Sequence, residues 1–388
     1  MKWINFFHLY QLANADSYVI EEATEESYKH IAEVLEQNPR AKITMNITGC
    51  LVLRWRQLGY NELIGRFKKL VAQGQVELVG SAAYHSLLPL IPQKEIKKQI
   101  EEDINILKDN FGKDIQLNGF FFPEMAYGKE AARIVKKYGF EWAILDEISY
   151  NGRLGQVDHD KVYLDKASGL KIVFRSRKYS SCYFPSFFKD NPDISGTIIT
   201  GTDGELYGLR HKDNSKHWQK LLKRDDLETE TISEFISEHK KTTSTDLVPS
   251  SWESAEEELK EGNSYYLWHH KGNEIQDKIW ELADLAYKTV EKYEKDGNYN
   301  WARWHLVRGL ASCTFWWASA KDFTPIFGPY AWNPDQVERG INELVRAIRS
   351  LDDVKTREAK IEAEKLYLDI KHLVWEKHWT YYWKRSEE

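Results

Sequence analysis

"LNGFFFPEMAYGKEAARIVKKYGFEWAILDE", residues 117–147, decides how this chain folds. It opens on an apolar run, "LNGFFF" (117–122), and closes on another, "WAILD" (142–146), each of the length and composition of a buried strand. Between them, Ala131, Ile134, Val135 and Tyr138 recur at the three- and four-residue spacing of a helix over 129–138. Strand, helix and strand within thirty residues make a βαβ unit, and a crossover of that length pairs its strands in parallel.

The same alternation runs outward in both directions. Toward the N-terminus the expected strands are "KWINFF" (2–7), "KITMNI" (42–47) and "VELVG" (76–80); toward the C-terminus they are "LKIVFR" (170–175) and "GTIIT" (196–200). Amphipathic patterns at 24–37, 61–73 and 93–109 supply the helices. In the last of these, Pro92 marks the start, and Ile96, Ile100, Ile104 and Leu107 form the apolar stripe. Seven candidate strands predict an α/β fold with a closed or nearly closed parallel barrel.

After residue 212 the pattern changes. "HWQKLLKRDDLETETISEFISEHKK" (217–241) reads as charged helix, "TTSTDLVPSSWES" (242–254) as a polar connection, and 274–380 as long helices. The expected division is 1–212 for the barrel core, 213–273 for a helical and loop connection completing the barrel face, and 274–388 for a C-terminal helical domain.

Bulk composition excludes several roles. A formal net charge of −6 disfavours a nucleic-acid or membrane-surface partner, either of which selects a basic face. No run approaches the ~20 apolar residues of a membrane span. Cys50, Cys182 and Cys313 lie far apart without a CxxC pair, so a cytoplasmic protein with free thiols is expected. The 15 Trp, 21 Tyr and 16 Phe suit either a core of large rings or a surface that stacks on sugars.

In a parallel barrel the loops after the strands share one face, where reactive groups collect. Following the strands in order brings His8 and Gln11, Asn46, then Tyr84 and His85, Glu124, Asp146 and Glu147, Arg175 and Arg177, and last Asp203, Glu205 and His211. Glu124 directly follows "GFFFP", and a carboxylate at the end of a buried strand is costly unless bonded or functional. Asp203 holds the matching place in "TGTDGELYG" (200–208), where Gly201 and Gly204 give the backbone room to turn. Two carboxylates at one barrel mouth suit glycoside hydrolysis. "DGE" lacks the oxygen ligands of a calcium loop, no HxH or HExxH spacing marks zinc, and no glycine-rich phosphate loop follows a strand. No metal or cofactor is expected.

These motifs resemble glycoside hydrolase family 57 along most of the chain. "FHLYQ" is similar to the family's first region, with Leu12 in place of its usual proline. "GQVELVGSAAYHSLLPLIP" resembles the second and carries Glu77 and His85; "GFFFPEMAYG" resembles the third, and "TGTDGELYG" the fourth. "GLASCTFWWASA" resembles the fifth without its common acidic residue. The resemblance implies an incomplete (β/α)7 barrel followed by a C-terminal α-helical region, with retaining chemistry on α-glucosidic linkages of an α-glucan or maltooligosaccharide. It places the nucleophile on Glu124 and the acid/base on Asp203. Substrate-binding roles are expected for His8, Gln11, Glu77, His85, Asp146 and Glu205, and stacking for Trp252, Trp268, Trp316 and Trp317. Arg175 would hold a catalytic carboxylate ionised or pair for structure. The alternatives are a 4-α-glucanotransferase or branching enzyme using the same residues, a metal-dependent deacetylase, or a catalytically silent glucan-binding protein. Pro89 stands where a deacetylase HSxxH helix would have its second histidine.

Overall fold

The computed structural model describes residues 1–321 and 330–386. The chain forms two compact units: Met1–Ala83 with Leu88–Glu256, and Tyr84–Leu87 with Glu257–Glu388.

The strands of the first unit are β1 (Lys2–Leu9), β2 (Ile43–Ile47), β3 (Val76–Leu78), β4 (Gly119–Phe121), β5 (Trp142–Asp146), β6 (Val162–Asp165), β7 (Lys171–Arg175), β8 (Thr197–Asp203), β9 (Glu228–Glu230) and β10 (Thr242–Thr245). β1 lies between β8 and β2, and β3 follows β2, all parallel. β4, β5 and β7 form a second parallel run. A bridge between Gly80 and Phe120 joins β3 to β4. Ser176 N–H donates to the Ile199 carbonyl at 2.8 Å across the β7–β8 seam. The seven strands expected from sequence are therefore those of an incomplete (β/α)7 barrel, in the order β1-β2-β3-β4-β5-β7-β8.

Alternation along β1 sets the layers. Ile4 and Phe6 join Phe121, Ile144, Val173 and Ile199 in the barrel core, while Trp3 and Asn5 share Thr200 on the outer side. Ile232, Phe235 and Ile236 of the helix Ile232–Glu238 join the same core. One inward step beyond the apolar layer, the positions become polar: His8 pairs in register with Asn46 and Asp203, and Asp146 with Arg175. Sequence periodicity had filled the core face of Gln93–Phe111 with isoleucines, yet Ile104 is half-buried and Asp103 is buried. Asp103 accepts the N–H groups of Gly49 (3.0 Å) and Ser81 (2.8 Å), so it ties together the loops that follow β2 and β3.

One expectation for this region is corrected. The 217–241 stretch is not continuous helix; a helix His217–Leu222 is followed by β9 and then Ile232–Glu238. β2 pairs with β1 only from Phe6 onward, and β9 covers the remaining edge at Lys2–Ile4, satisfying its backbone groups. β6 and β10 lie outside the barrel order: β6 runs antiparallel to β7, and β10 pairs with β6.

In the second unit, helices Glu274–Lys292, Tyr299–Gly309, Pro334–Arg349 and Arg357–Ser386 form the C-terminal α-helical region. Asn273 and Asn333 cap two of them by accepting N–H groups from Gln276 and Gln336. The reading of 274–380 as helix throughout is corrected by an antiparallel pair, β11 (Ala318–Lys321) with β12 (Tyr330–Trp332); residues 322–329 lie outside the described residues.

Candidate active site

At the C-terminal ends of the barrel strands two polar groupings form, and aromatic rings join them. The first begins with Asp203, the last residue of β8, where Arg210 Nη1 donates to its Oδ2 at 2.8 Å. Its register neighbour His8 is buried, and Asn46 Oδ1 faces His8 Nδ1 at 2.8 Å. The same Asn46 oxygen accepts from the Thr48 hydroxyl. As a double acceptor it requires the proton on Nδ1, leaving Nε2 as an acceptor. Burial lowers the His8 pKa to about 4, so the ring is neutral across the physiological range.

Glu205 lies two residues on, in the turn Gly204–Leu206, and is buried. The turn swings its carboxyl to Gln11 Nε2 (2.5 Å) and to the Tyr28 hydroxyl, both donating to Oε1. Burial, and then the charge of Asp203, push Glu205 up to about 7. Burial and the Glu205 carboxylate hold the Tyr28 phenol far above its ordinary range, so it stays a donor. Tyr28 ends a wide helical turn, Thr24–Tyr28, whose Ser27 hydroxyl donates to the Gly204 carbonyl.

The second grouping surrounds Glu124. The short turn Pro123–Met125 places Glu124 at φ 60° and Met125 at φ 47°, left-handed conformations rare outside glycine. Trp252 holds that turn twice: its backbone N–H donates to the Glu124 carbonyl at 3.0 Å, and its indole Nε1–H to Oε2 at 2.9 Å. Arg175 packs over the Trp252 ring, 4.9 Å from its centroid. It donates from Nε to Asp146 Oδ2 (2.7 Å) and from Nη1 to the Gly201 carbonyl (2.6 Å). His8 meets the Trp252 ring edge-on at 6.1 Å and stacks on Phe121 at 4.5 Å.

Several expected binding residues have other tasks. Asp146 is fully buried, and its oxygens take Arg175, two nitrogens of Arg177 and the Ile148 N–H, so its lone pairs serve the protein. Glu77 pairs in register with Thr44, which is opposite Phe6, one inward step below His8. There it accepts the Thr44 hydroxyl (2.9 Å) and the Ser233 N–H (3.1 Å) at the start of a helix. Trp252 is nearly buried, with one face under Arg175. His85 (buried, φ 58°) belongs to the second unit and faces Ser312 Oγ at 2.9 Å. Trp268, also of that unit, is 1% exposed and so presents no face for stacking. Trp316 and Trp317, half-buried there, pack edge to face at 4.3 Å.

Gly201 and Gly204 likewise make room for protein rather than for a turn at positive φ. A Cβ on Gly201 would stand 3.1 Å from Met125 Cε and 3.3 Å from Arg175 Cδ, and one on Gly204 2.8 Å from Leu9 Cδ1. Tyr28 and Arg210 escaped sequence reasoning. Tyr28 lies mid-helix with no local motif, whereas Arg210 follows the acidic turn closely enough to have been a candidate. Among the described residues no three His, Cys, Asp or Glu side chains gather as a metal site, and no helix is long and apolar enough to cross a membrane.

Residues 4–247, which take in the barrel strands from Ile4 onward with Glu124 and Asp203, match Glycosyl hydrolase family 57. The chain belongs to this family. Among similar proteins, an alpha-amylase of Pyrococcus abyssi is 30% identical over 231 residues, covering 54% of this chain and 34% of the relative. A 4-alpha-glucanotransferase of Thermococcus litoralis is 25% identical over 229 residues, covering 54% and 33%. The matched part thus spans about a third of the length of these relatives. In fold, the chain is similar to the family 57 branching enzyme of Thermococcus kodakaraensis, with a TM-score of 0.67, 16% identity and 95% coverage of both chains. A branching enzyme from Pyrococcus horikoshii gives 0.68, 16%, and 96% and 95% coverage.

Proposed function

We propose that this protein is a retaining glycoside hydrolase acting on α-glucosidic linkages of α-glucans, with Glu124 as nucleophile and Asp203 as acid/base. The observation that carries the reading is the delivery of both carboxylates to the same end of one barrel, within a chain of family 57. Glu124 attacks the anomeric carbon while Asp203 gives its proton to the departing glycosidic oxygen, and a glycosyl-enzyme ester forms. Asp203 then takes a proton from an incoming hydroxyl as its oxygen attacks the same carbon, releasing Glu124. Water as the acceptor gives hydrolysis; a sugar hydroxyl gives transfer.

The neighbours support these roles. Neutral His8 adds no charge beside its register neighbour Asp203. Arg210 pairs with Asp203, and Glu205 stands two residues beyond it in the same turn.

Glu124→Gln and Asp203→Asn are each expected to lower turnover of maltoheptaose by at least about a thousandfold, as loss of a nucleophile or a proton donor does. Near-normal rates in either variant would sink the assignment. Chromatography of wild-type products separates the outcomes: shorter sugars alone mean hydrolysis, while longer ones mean a 4-α-glucanotransferase or branching activity.

A further inference from the structure

We infer that Trp252 is a positioning residue for Glu124, and that one guanidinium, Arg175, fixes it while anchoring the strand end that carries Asp203. The inference rests on the nucleophile reading given above.

Trp252 reaches Glu124 from both backbone and side chain, at 3.0 and 2.9 Å. The backbone bond braces a residue held at φ 60°. The indole N–H can only donate, so the oxygen it meets must accept; this favours the carboxylate, the form a nucleophile needs. The ring cannot drift from that contact. Arg175 covers one face at 4.9 Å, and the rings of Phe121 and His8 flank it at 5.9 and 6.1 Å. Arg175 Nη2 also donates to the Trp252 carbonyl at 3.4 Å.

Arg175 is itself immobilised in three directions. Nε goes to the fully buried Asp146, Nη1 to the Gly201 carbonyl, and Nη2 to Trp252. Gly201 lies two residues before Asp203 on β8, and its missing Cβ lets the arginine stem pass. The planar fork therefore sets the approach of the β8 end and the seat of Trp252 together. A lysine keeps the charge but cannot make three divergent bonds.

The test uses the whole chain and maltoheptaose. Trp252→Phe keeps a ring and deletes the N–H. The acidic limb of its kcat/KM profile is expected to move up by about one pH unit, the scale of one lost hydrogen bond to a carboxylate, with an unchanged circular dichroism spectrum. Arg175→Lys should move the limb the same way, and the double variant no further, because both act through one contact. A readout without turnover is the 15N-indole resonance of Trp252, assigned by its absence in Trp252→Phe. It should titrate in the wild type and lose that step in Glu124→Gln. A Trp252→Phe limb that coincides with the wild type, or a resonance indifferent to Glu124→Gln, overturns the inference while leaving the nucleophile assignment standing. Normal turnover by Glu124→Gln overturns both.

Discussion

Glu205 sits two residues from Asp203, yet the turn between them gives it a different environment. It is buried against Gln11 and Tyr28, with Asp203 and Arg210 as the charged groups facing it. Its folded pKa of about 7 stands above the ordinary 4.5. Stability from Glu205 is therefore fully present below about pH 4.5 and is lost as pH rises through about 7, because the folded state holds a proton that the unfolded chain has released. Glu205→Gln keeps the acceptor oxygen and removes the titration. Urea unfolding at pH 5 and pH 8 should show the wild type losing about 2 kcal/mol relative to this variant between the two. A gap that does not change with pH would refute the burial argument. His8 acts in the opposite sense: with its pKa lowered to about 4, its contribution is lost as pH falls from 6.5 through 4. Comparing wild type with Glu205→Gln cancels that term. Sequence reading reached His8, Gln11, Glu124, Asp203 and Glu205 as polar residues at strand ends. It could not reach the partners, since Tyr28 and Trp252 contact them across 177 and 128 residues.

Single elements succeed in sequence where their periodicity is local. The strand "WAILD" was legible to the residue because an apolar run flanked by Gly139 and a DE pair has one reading. β9 was not, since "ETE" has no apolar face and is a strand only because β1 leaves an edge beside it. The wide turn Thr24–Tyr28 was hidden inside an amphipathic pattern that looks like ordinary helix. That turn packs on the segment after β8 so closely that Gly208, at φ 115°, has no space for a side chain. A Cβ there would lie 2.0 Å from the Glu26 carbonyl oxygen. Gly208→Ala is thus expected to destabilise the protein by at least about 2 kcal/mol, from backbone strain together with displacement of the turn that carries Ser27 and Tyr28. Chemical denaturation measures it; a loss under about 0.5 kcal/mol would mean that the two segments part freely.

At the scale of the molecule, the net charge of −6 lets salt dependence separate the proposed neutral substrate from a charged one. An uncharged glucan is not steered by the protein's field. Its kcat/KM should stay within about twofold from roughly 20 to roughly 500 mM salt, over which the Debye length falls several-fold. A tenfold change in initial rates across that range would indicate a charged substrate instead. The sequence by itself determined the barrel, because seven apolar runs separated by helical patterns have few other ways to bury their faces. It also placed Glu124 and Asp203 at one common end of the strands, since parallel direction follows from that alternation. Only the tertiary structure decided what each polar group does there. Asp146 became an arginine anchor, Glu77 a partner of Thr44 and the Ser233 N–H, and Trp252 a donor to Glu124. Those roles depend on hydrogen bonds between strands and loops distant in sequence, and periodicity carries no record of which partner a side chain meets across a barrel.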